Sequence, residues 1–595
     1  MKKMLFPFVF LLFATIPSIC GFNGTASEPS PEDTITARYP MGAFMGTNSF
    51  IDVPVDRLEP VGWIREYHPW SFTEIENDVF EYNRWNGFWD FDAFYNELAT
   101  NQVMVCPVLW SSPTWLQPAA NDRPVVGDED PALPYSYREI AELQYQYAAR
   151  YGAATVPDSM LLVNSGQVKK TGLGLIRYYE DWNEQDKDWE GPSAEFTPAQ
   201  YAAMASANID GHQGSLGAGT GIKQADPEAK FVMGGLAGLD TSYLTGMRKW
   251  FGQHRTDTDW PVDVINVHHY AFTRNETGIS PEDDNYRDKV AAVVRWRDLH
   301  APGNEVWLTE FGYDTNPTSM NRAPAIGTLT SVEVQAGWNM RTFMLLAAAG
   351  VDRAAQFMIR DADPGGSELR YADSGLTTSK EEGHKRKLSW YYMHTMYRLL
   401  EDLYFRDVIT DQEELKVMRF TEHSAKHSVY SCWRNSGSDQ PAPFTLEIEE
   451  LTDSVSIVTL NSEYPDGLVT RVALENGSVT IEAGEIPVFV VVEAKESSAE
   501  TDLARPGAEI KVYPNPANNC LHMHFSAPIS RFKNIKVSII NATGTEIRIV
   551  DHIYKSNAAT ASIDTTMLPD GLYFIQVTGL GFRPLAKPFI ISGQS

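Results

Sequence analysis

The chain has 595 residues, a formal net charge of −29, and 43% hydrophobic and 12% aromatic residues. That length and apolar content exclude a mainly disordered chain and imply roughly two to four folded domains. The negative charge argues against nucleic acid or an anionic membrane as partner, because both would be repelled; it suits solubility outside the cell.

The opening, MKKMLFPFVFLLFATIPSIC, carries two lysines, an apolar stretch from Met4 to Ile16 and then small residues. This is the pattern of a secretory signal peptide over 1–20, since the stretch is too short to cross a bilayer. No later segment is apolar for long enough to span a membrane. A polar Ser/Pro/Glu linker follows over 21–38. Cys106, Cys432 and Cys520 then remain, spaced too widely for a disulfide framework or a zinc site.

From 39 to 395, short apolar runs alternate with longer amphipathic ones. The runs are GAFMGTNSF, VGWIREYH, QVMVCPVLW, LGLIRYYEDWNE, KFVMGGLAG, VDVINVHHY, EVWLTEFGY and AAQFMIRDA. Segments such as PYSYREIAELQYQYAARYG and TSVEVQAGWNMRTFMLLAAAG between them have helical character. Eight such units predict a parallel (β/α)8 TIM barrel. An open doubly wound sheet is the runner-up, and it lacks its glycine-rich phosphate turn. GAGTG at 217–221 has no following Gly-Lys-Ser/Thr and reads as a loop.

Residues 396–495 read as short strands (LKVMRF, HSVYSCW, FTLEIEE, SVSIVTL, LVTRVAL, GSVTIEA, PVFVVVE), a β-sandwich accessory domain. A linker at 496–507 precedes a last segment, 508–595, with VYPNPANNCLHMHF, IKVSIINATGTEI and DGLYFIQV. This segment resembles the C-terminal sorting domain of type IX secretion, a small Ig-like β-sandwich. The resemblance implies export across a Gram-negative outer membrane by the type IX machinery, then removal of the domain, leaving the protein secreted or on the cell surface.

On the barrel count, Glu184 follows the fourth strand and Glu310 ends the seventh, so both reach the C-terminal rim where barrel enzymes place their sites. Two carboxylates across one pocket suit hydrolysis of a glycosidic bond. A separation of about 5 Å implies retention; about 7 to 9 Å leaves room for a water and implies inversion.

Asn-Glu after strand 4 with a glutamate ending strand 7 resembles glycoside hydrolase clan A, the retaining barrels, and the attached sandwich is similar in layout to families 30 and 39. The resemblance implies Glu184 as acid/base and Glu310 as nucleophile, with Asn183 on the sugar 2-hydroxyl. His268 and Tyr270 match a His-x-Tyr arrangement on one face of strand 6, and Tyr270 is expected to donate to the nucleophile. Arg65 resembles the clan's arginine beside the nucleophile. WSSPTWL is similar to a turn lining sugar subsites, which makes Trp115, with Trp182, the expected sugar-binding tryptophans. Trp85, Trp89 and Trp110 divide between core and site. Strand 8 departs from the pattern: MIRDADPGG lacks the clan's floor tryptophan and offers Arg360 and Asp361 instead.

Asp181, Asp186, Asp188 and Glu190 read as loop charges, and His269 as packed against a helix. No metal or cofactor is expected. The sequence therefore reads as a secreted retaining glycosidase, endo-acting on a plant or algal polysaccharide. The rivals are a non-catalytic carbohydrate-binding protein on a degenerate hydrolase scaffold and an adhesive surface protein.

Overall fold

The structure is a computed structural model that describes residues 37–84, 89–273, 277–365 and 369–494. In the C-terminal segment it describes 510–517, 520–525, 533–541, 546–549, 560–566, 568–580 and 582–592. The expected signal peptide, nearly all of the first linker, Trp85 and the second linker lie outside the described residues. The chain divides into two compact units, Met1–Ala494 and Lys495–Ser595.

In the first unit, eight parallel strands close a barrel: β1 (Met45–Ser49), β2 (Trp63–Pro69), β3 (Met104–Trp110), β4 (Tyr178–Asp181), β5 (Lys230–Met233), β6 (Val264–His268), β7 (Glu305–Phe311) and β8 (Arg353–Gln356). Each expected run supplies one strand. Seven helices follow β2 to β8 in turn: α1 (Phe91–Thr100), α2 (Arg138–Tyr151), α3 (Pro198–Asp210), α4 (Thr241–His254), α5 (Tyr286–His300), α6 (Ser331–Ala349) and α7 (Leu388–Leu400). Between β1 and β2 the described chain makes only a 3-10 turn, Val55–Arg57, so the first βα unit is shortened. Thr197 and Thr330 start α3 and α6 with capping boxes to Gln200 and Glu333, each satisfying first-turn amides that the helix leaves unpaired.

The barrel interior is layered. Trp63 and Tyr178 both pack on Trp307, at 5.0 and 4.9 Å between rings, and with Cys106, Val232, Val264 and Ala355 they form an apolar plug. A strand turns alternate side chains to the same face, so two residues along β2 and β4 from Trp63 and Tyr178 come Arg65 and Glu180. A charged layer thus sits directly on the plug. On β7 the pairing with β6 slips between Val267/His268, so that His268 lies opposite Glu310. The extra residue lets Thr309 and Glu310 both reach the site, while Phe311 turns outward onto Phe343 of α6 at 4.8 Å.

The sandwich belongs to the same compact unit. Its six-stranded sheet has the order β9 (Tyr404–Asp411), β10 (Leu415–Thr421), β11 (His427–Arg434), β16 (Val488–Glu493), β13 (Ser454–Thr459), β14 (Leu468–Ala473). A pair, β12 (Ala442–Glu447) and β15 (Ser478–Ala483), forms the second sheet. Strand β9 was absent from the sequence reading, because YFRDVITD is half-exposed along its length and shows no clean alternation. Met418, Phe420, Trp433 and Phe489 join the barrel's own core. This explains α6, which is buried nearly all round: one face meets the barrel, and the other meets the sandwich through Gly337 against Ile486 and Arg341 ion-paired to Glu485.

The second unit has two antiparallel sheets, β17 (Ile510–Tyr513), β18 (Cys520–Phe525), β21 (Thr560–Asp564), and β20 (Glu546–Ile549), β19 (Lys533–Asn541), β22 (Gly571–Leu580), β23 (Phe582–Ile591). Leu521, Met523, Val537, Ile539, Ile563, Ile575 and Phe589 make its core.

Candidate active site

Arg65 is the hub of the charged layer and is fully buried. Its guanidinium forks onto Glu180 (Nη2 to Oε1 2.7 Å, Nε to Oε2 2.8 Å), and Nη1 donates to Glu310 Oε1 at 2.7 Å. It also donates to Asn48 Oδ1 at 3.0 Å and Asn183 Oδ1 at 2.8 Å. A planar five-donor group can serve these acceptors at once; an ammonium cannot.

Glu310 receives three further contacts. Tyr67 donates to its Oε1, Tyr270 donates to Oε2 at 2.9 Å, and His268 Nδ1 lies 3.7 Å from Oε2. Burial alone would raise this carboxyl. The charges on His268 and Arg65, then the Tyr67 and Tyr270 hydroxyls, outweigh burial and hold Glu310 below the usual glutamate range. Burial, and then the same carboxylate, raises both tyrosines well above their ordinary values, so they remain hydroxyl donors.

Glu184 sits on a sharp turn beyond β4. Trp182 and Glu184 have φ of 74° and 48°, left-handed values that are costly for residues other than glycine. The Glu184 N–H is anchored to Gly235 O at 3.0 Å. Gly235 is required there, because a Cβ would lie 2.0 Å from His268 Nε2. The Glu184 side chain is 21% exposed against 7% for Glu310, so it is the more accessible to water. Its Oε1 lies 3.2 Å from His268 Nδ1. The other ring nitrogen, Nε2, lies 3.1 Å from Thr309 Oγ1, and that hydroxyl donates to Asn266 Oδ1 at 2.9 Å. A hydroxyl has one proton, so Thr309 accepts from His268 Nε2. The Nδ1 edge of the ring is then left to Glu184.

Ligand atoms of Glu184, His268 and Glu310 all lie within 4.8 Å of one another. That spacing would also suit a metal ion, but Glu310 is already taken by a guanidinium and two hydroxyls, which disfavours a second cation.

Around the carboxylates stands a half-buried aromatic collar. The ring of Tyr67 stacks on Phe50 at 5.7 Å and meets Trp110 at 6.0 Å and Phe357 at 6.4 Å edge-on. Phe357, the first residue after β8, occupies the strand end where the sequence reading expected Arg360 and Asp361. Those two serve the following loop: Arg360 lies over Phe50 and near Asp52, and Asp361 pairs with Lys387 Nζ at 2.8 Å.

Three further expectations are corrected or narrowed. Trp182 is fully buried, its ring against Phe196 at 5.8 Å, so it offers no face to a sugar. Trp115 is half-buried, edge-on to Trp70 at 5.5 Å, and no hydrogen bond or ring contact joins it to the carboxylate network among the described residues. Asp181 is not a loop charge. It ends β4 fully buried, accepting from Asn208 Nδ2 at 2.8 Å and Gln144 Nε2 at 3.3 Å, while its Oδ2 is buried without a partner. His269 turns to the outer side, onto Asp284 Oδ2 at 2.7 Å and the Tyr286 ring of α5.

Burial pushes Asp181 up to about 7, against the lowering effect of its hydrogen bonds. A carboxyl raised in the folded state destabilises as pH climbs from the unfolded value through the folded one, because the unfolded chain ionises first. Asp181→Asn, which mimics the protonated acid, is therefore expected to match wild type near pH 4. At pH 8 it should exceed wild type by roughly 2–4 kcal/mol, read as thermal midpoints across that range. Parallel pH profiles for the two proteins would refute this.

Sequence reasoning missed Tyr67 and Glu180. Both were legible from the period of two, since Trp63, Arg65 and Tyr67 share a face, as do Tyr178 and Glu180.

The barrel and sandwich together have known counterparts. Over 76% of its length the chain is similar to 81% of a family 39 glycoside hydrolase from the gut symbiont Bacteroides cellulosilyticus WH2 (TM-score 0.54, 13% identity). Over 78% it is similar to 98% of a glucosidase from Croceicoccus marinus (TM-score 0.50, 11% identity). A family 30 endoxylanase from Clostridium papyrosolvens C71 is also similar, over 78% of this chain and 98% of its own (TM-score 0.49, 12% identity). The shared feature is the fold. No curated protein matches the chain by sequence. Residues 511–591 match the family described as Secretion system C-terminal sorting domain, so the second unit is a sorting domain that engages secretion machinery. Among the described residues no helix is long and apolar enough to cross a membrane.

Proposed function

We propose that the protein is an exported, retaining glycoside hydrolase that cleaves β-glycosidic bonds of a polysaccharide, with Glu310 as nucleophile and Glu184 as acid/base. The observation that carries this reading is the pair itself: carboxylate oxygens within 4.8 Å of each other, Glu310 kept ionised by its partners and Glu184 the more exposed, beside His268. That separation supports double displacement, because an inverting pair would need room for a water between the acids.

In the first step Glu310 attacks the anomeric carbon as Glu184 passes its proton to the leaving oxygen. In the second, Glu184 takes a proton from water, which attacks the same carbon and frees Glu310. Arg65, Tyr67 and Tyr270 hold the carboxylate in place before attack. Asn183 gives its Oδ1 to Arg65, which leaves the amide Nδ2 to donate to the sugar 2-hydroxyl. Phe50, Trp110 and Phe357 supply apolar surface for the sugar's CH faces. The sorting domain supports type IX export across the outer membrane of a Gram-negative bacterium and loss of the domain afterwards.

The test is incubation of the mature protein with neutral, uronate-bearing and sulfated polysaccharides of plant and algal origin. Products are sized by chromatography and their first-formed anomer is read by proton NMR. A β-anomer first, with mixed intermediate sizes, is the expected endo-acting, retaining result. An α-anomer first would overturn retention, and no hydrolysis of any glycan would favour a carbohydrate-binding role.

A further inference from the structure

Lys187 lies three residues after Glu184, in a turn closed by its N–H on the Glu184 carbonyl at 3.1 Å. It is 4% exposed. In a chain with 78 acidic and 49 basic residues, a buried lysine is expected to be paired with a carboxylate. Even the less buried Lys387 and Lys416 are, with Asp361 and Asp411. Lys187 is not: among the described residues no carboxylate oxygen lies within ion-pair distance of its Nζ. The ammonium has one long hydrogen bond, 3.4 Å to Asn121 Oδ1, and lies 5.8 Å from the centre of the Trp110 ring.

An ammonium has three donors, and only one is used here. Burial holds its proton affinity below the ordinary lysine value, although Glu184, Glu190, Glu310 and Asp186 oppose it, so Lys187 stands within the field of both proposed catalytic acids. Keeping a desolvated cation at that point is costly unless an anion meets it. A neutral hydroxyl could be served by an uncharged donor without that cost.

We infer that Lys187, with Asn121 and the face of Trp110, forms a subsite for an anionic substituent, a carboxylate or a sulfate ester, on the sugar beside the scissile bond. The inference rests on the glycosidase reading and narrows its substrate to a sparsely charged glycan. The charge must be sparse, because a net charge of −29 repels a dense polyanion before it reaches the site.

The test uses the full-length Glu310→Gln protein in affinity electrophoresis against two matched pairs. One pair is glucuronoxylan and its carboxyl-reduced form; the other is porphyran and its desulfated form. One native glycan is expected to bind about 10- to 100-fold more tightly than its neutralised counterpart, the scale of a charge-assisted hydrogen bond. The pair that responds identifies carboxylate or sulfate. The preference should vanish when Lys187→Met is added and persist with Lys187→Arg, which keeps the charge. Equal binding within both pairs, or a preference that survives Lys187→Met, overturns the subsite. If Lys187→Met does not fold, the glycan pairs and Lys187→Arg still decide. Hydrolysis of the neutralised glycans by wild type at the native rate would refute the subsite while leaving the glycosidase reading intact. Failure to bind or cut any of the four refutes the subsite, while the glycosidase reading stands or falls on the wider panel.

Discussion

Glu310→Gln is expected to lower kcat/KM by at least about 10⁴-fold, equivalent to roughly 5.5 kcal/mol of lost transition-state stabilisation, with sugar binding retained. The physical reason is that the amide keeps the site's shape but not its chemistry. Its oxygen still accepts from Arg65 and Tyr67, while its NH2 replaces Oε2 opposite Tyr270, whose hydroxyl turns to accept. The amide cannot form the glycosyl ester through which a double displacement passes. Initial rates on whichever glycan proves productive, with binding measured in parallel, check the claim. Near-normal turnover would end the assignment of Glu310. A stricter form uses Glu310→Gly with added azide. A small linear anion fits the vacated space and should restore turnover, yielding an α-glycosyl azide; a β-azide would mean that the two glutamates have exchanged roles.

Arg65→Met is expected to destabilise the first unit by about 3–5 kcal/mol, because Glu180 is then left fully buried without its counter-charge. The same change removes the guanidinium that keeps Glu310 ionised. Glu310's depressed folded value contributes stability above the unfolded glutamate value, and that contribution is lost as pH falls through the folded one. Without Arg65 the acidic limb of the activity profile should therefore move up in pH. The double variant Arg65→Met/Glu180→Gln separates these two effects. It should recover most of the stability in denaturant unfolding, since no unpaired charge remains, and keep the displaced acidic limb. Recovery of both would mean that Arg65 acts on Glu310 only through the fold.

Much of the site could be read from strand periodicity. Arg65, Glu310, Asn183, Glu184, His268 and Tyr270 were named from rim positions and resemblance, and the structure brings all six into one connected network. Tyr67 and Glu180 were equally legible and were passed over, because each lay among more conspicuous neighbours. Two of the misreadings, Asp181 and Trp182, lie where β4 ends. A run of acids and tryptophans looked like a solvated loop, yet Asp181 is the last residue of the buried strand, and Trp182, at the first of two left-handed positions, is sealed inside beside it. Strand 8 was misread in the opposite direction. Phe357 was overlooked for the charged residues that follow it, although its ring is the one that reaches Tyr67.

The sorting segment was legible by resemblance; by itself the sequence determined the eight strands of the barrel, most strands of the sandwich and the two glutamates at the rim. Alternation of apolar and polar residues is a local property, and it carries that information without reference to any distant part of the chain. Only the tertiary structure decided the separation of Glu184 and Glu310, the contact between Glu184 and His268, the burial of Trp182 and the lack of a carboxylate partner for Lys187. Each of these depends on backbone angles at a turn or on contacts between strands far apart in sequence. A bulge of one residue on β7, invisible to a period-of-two reading, turns Glu310 toward Arg65.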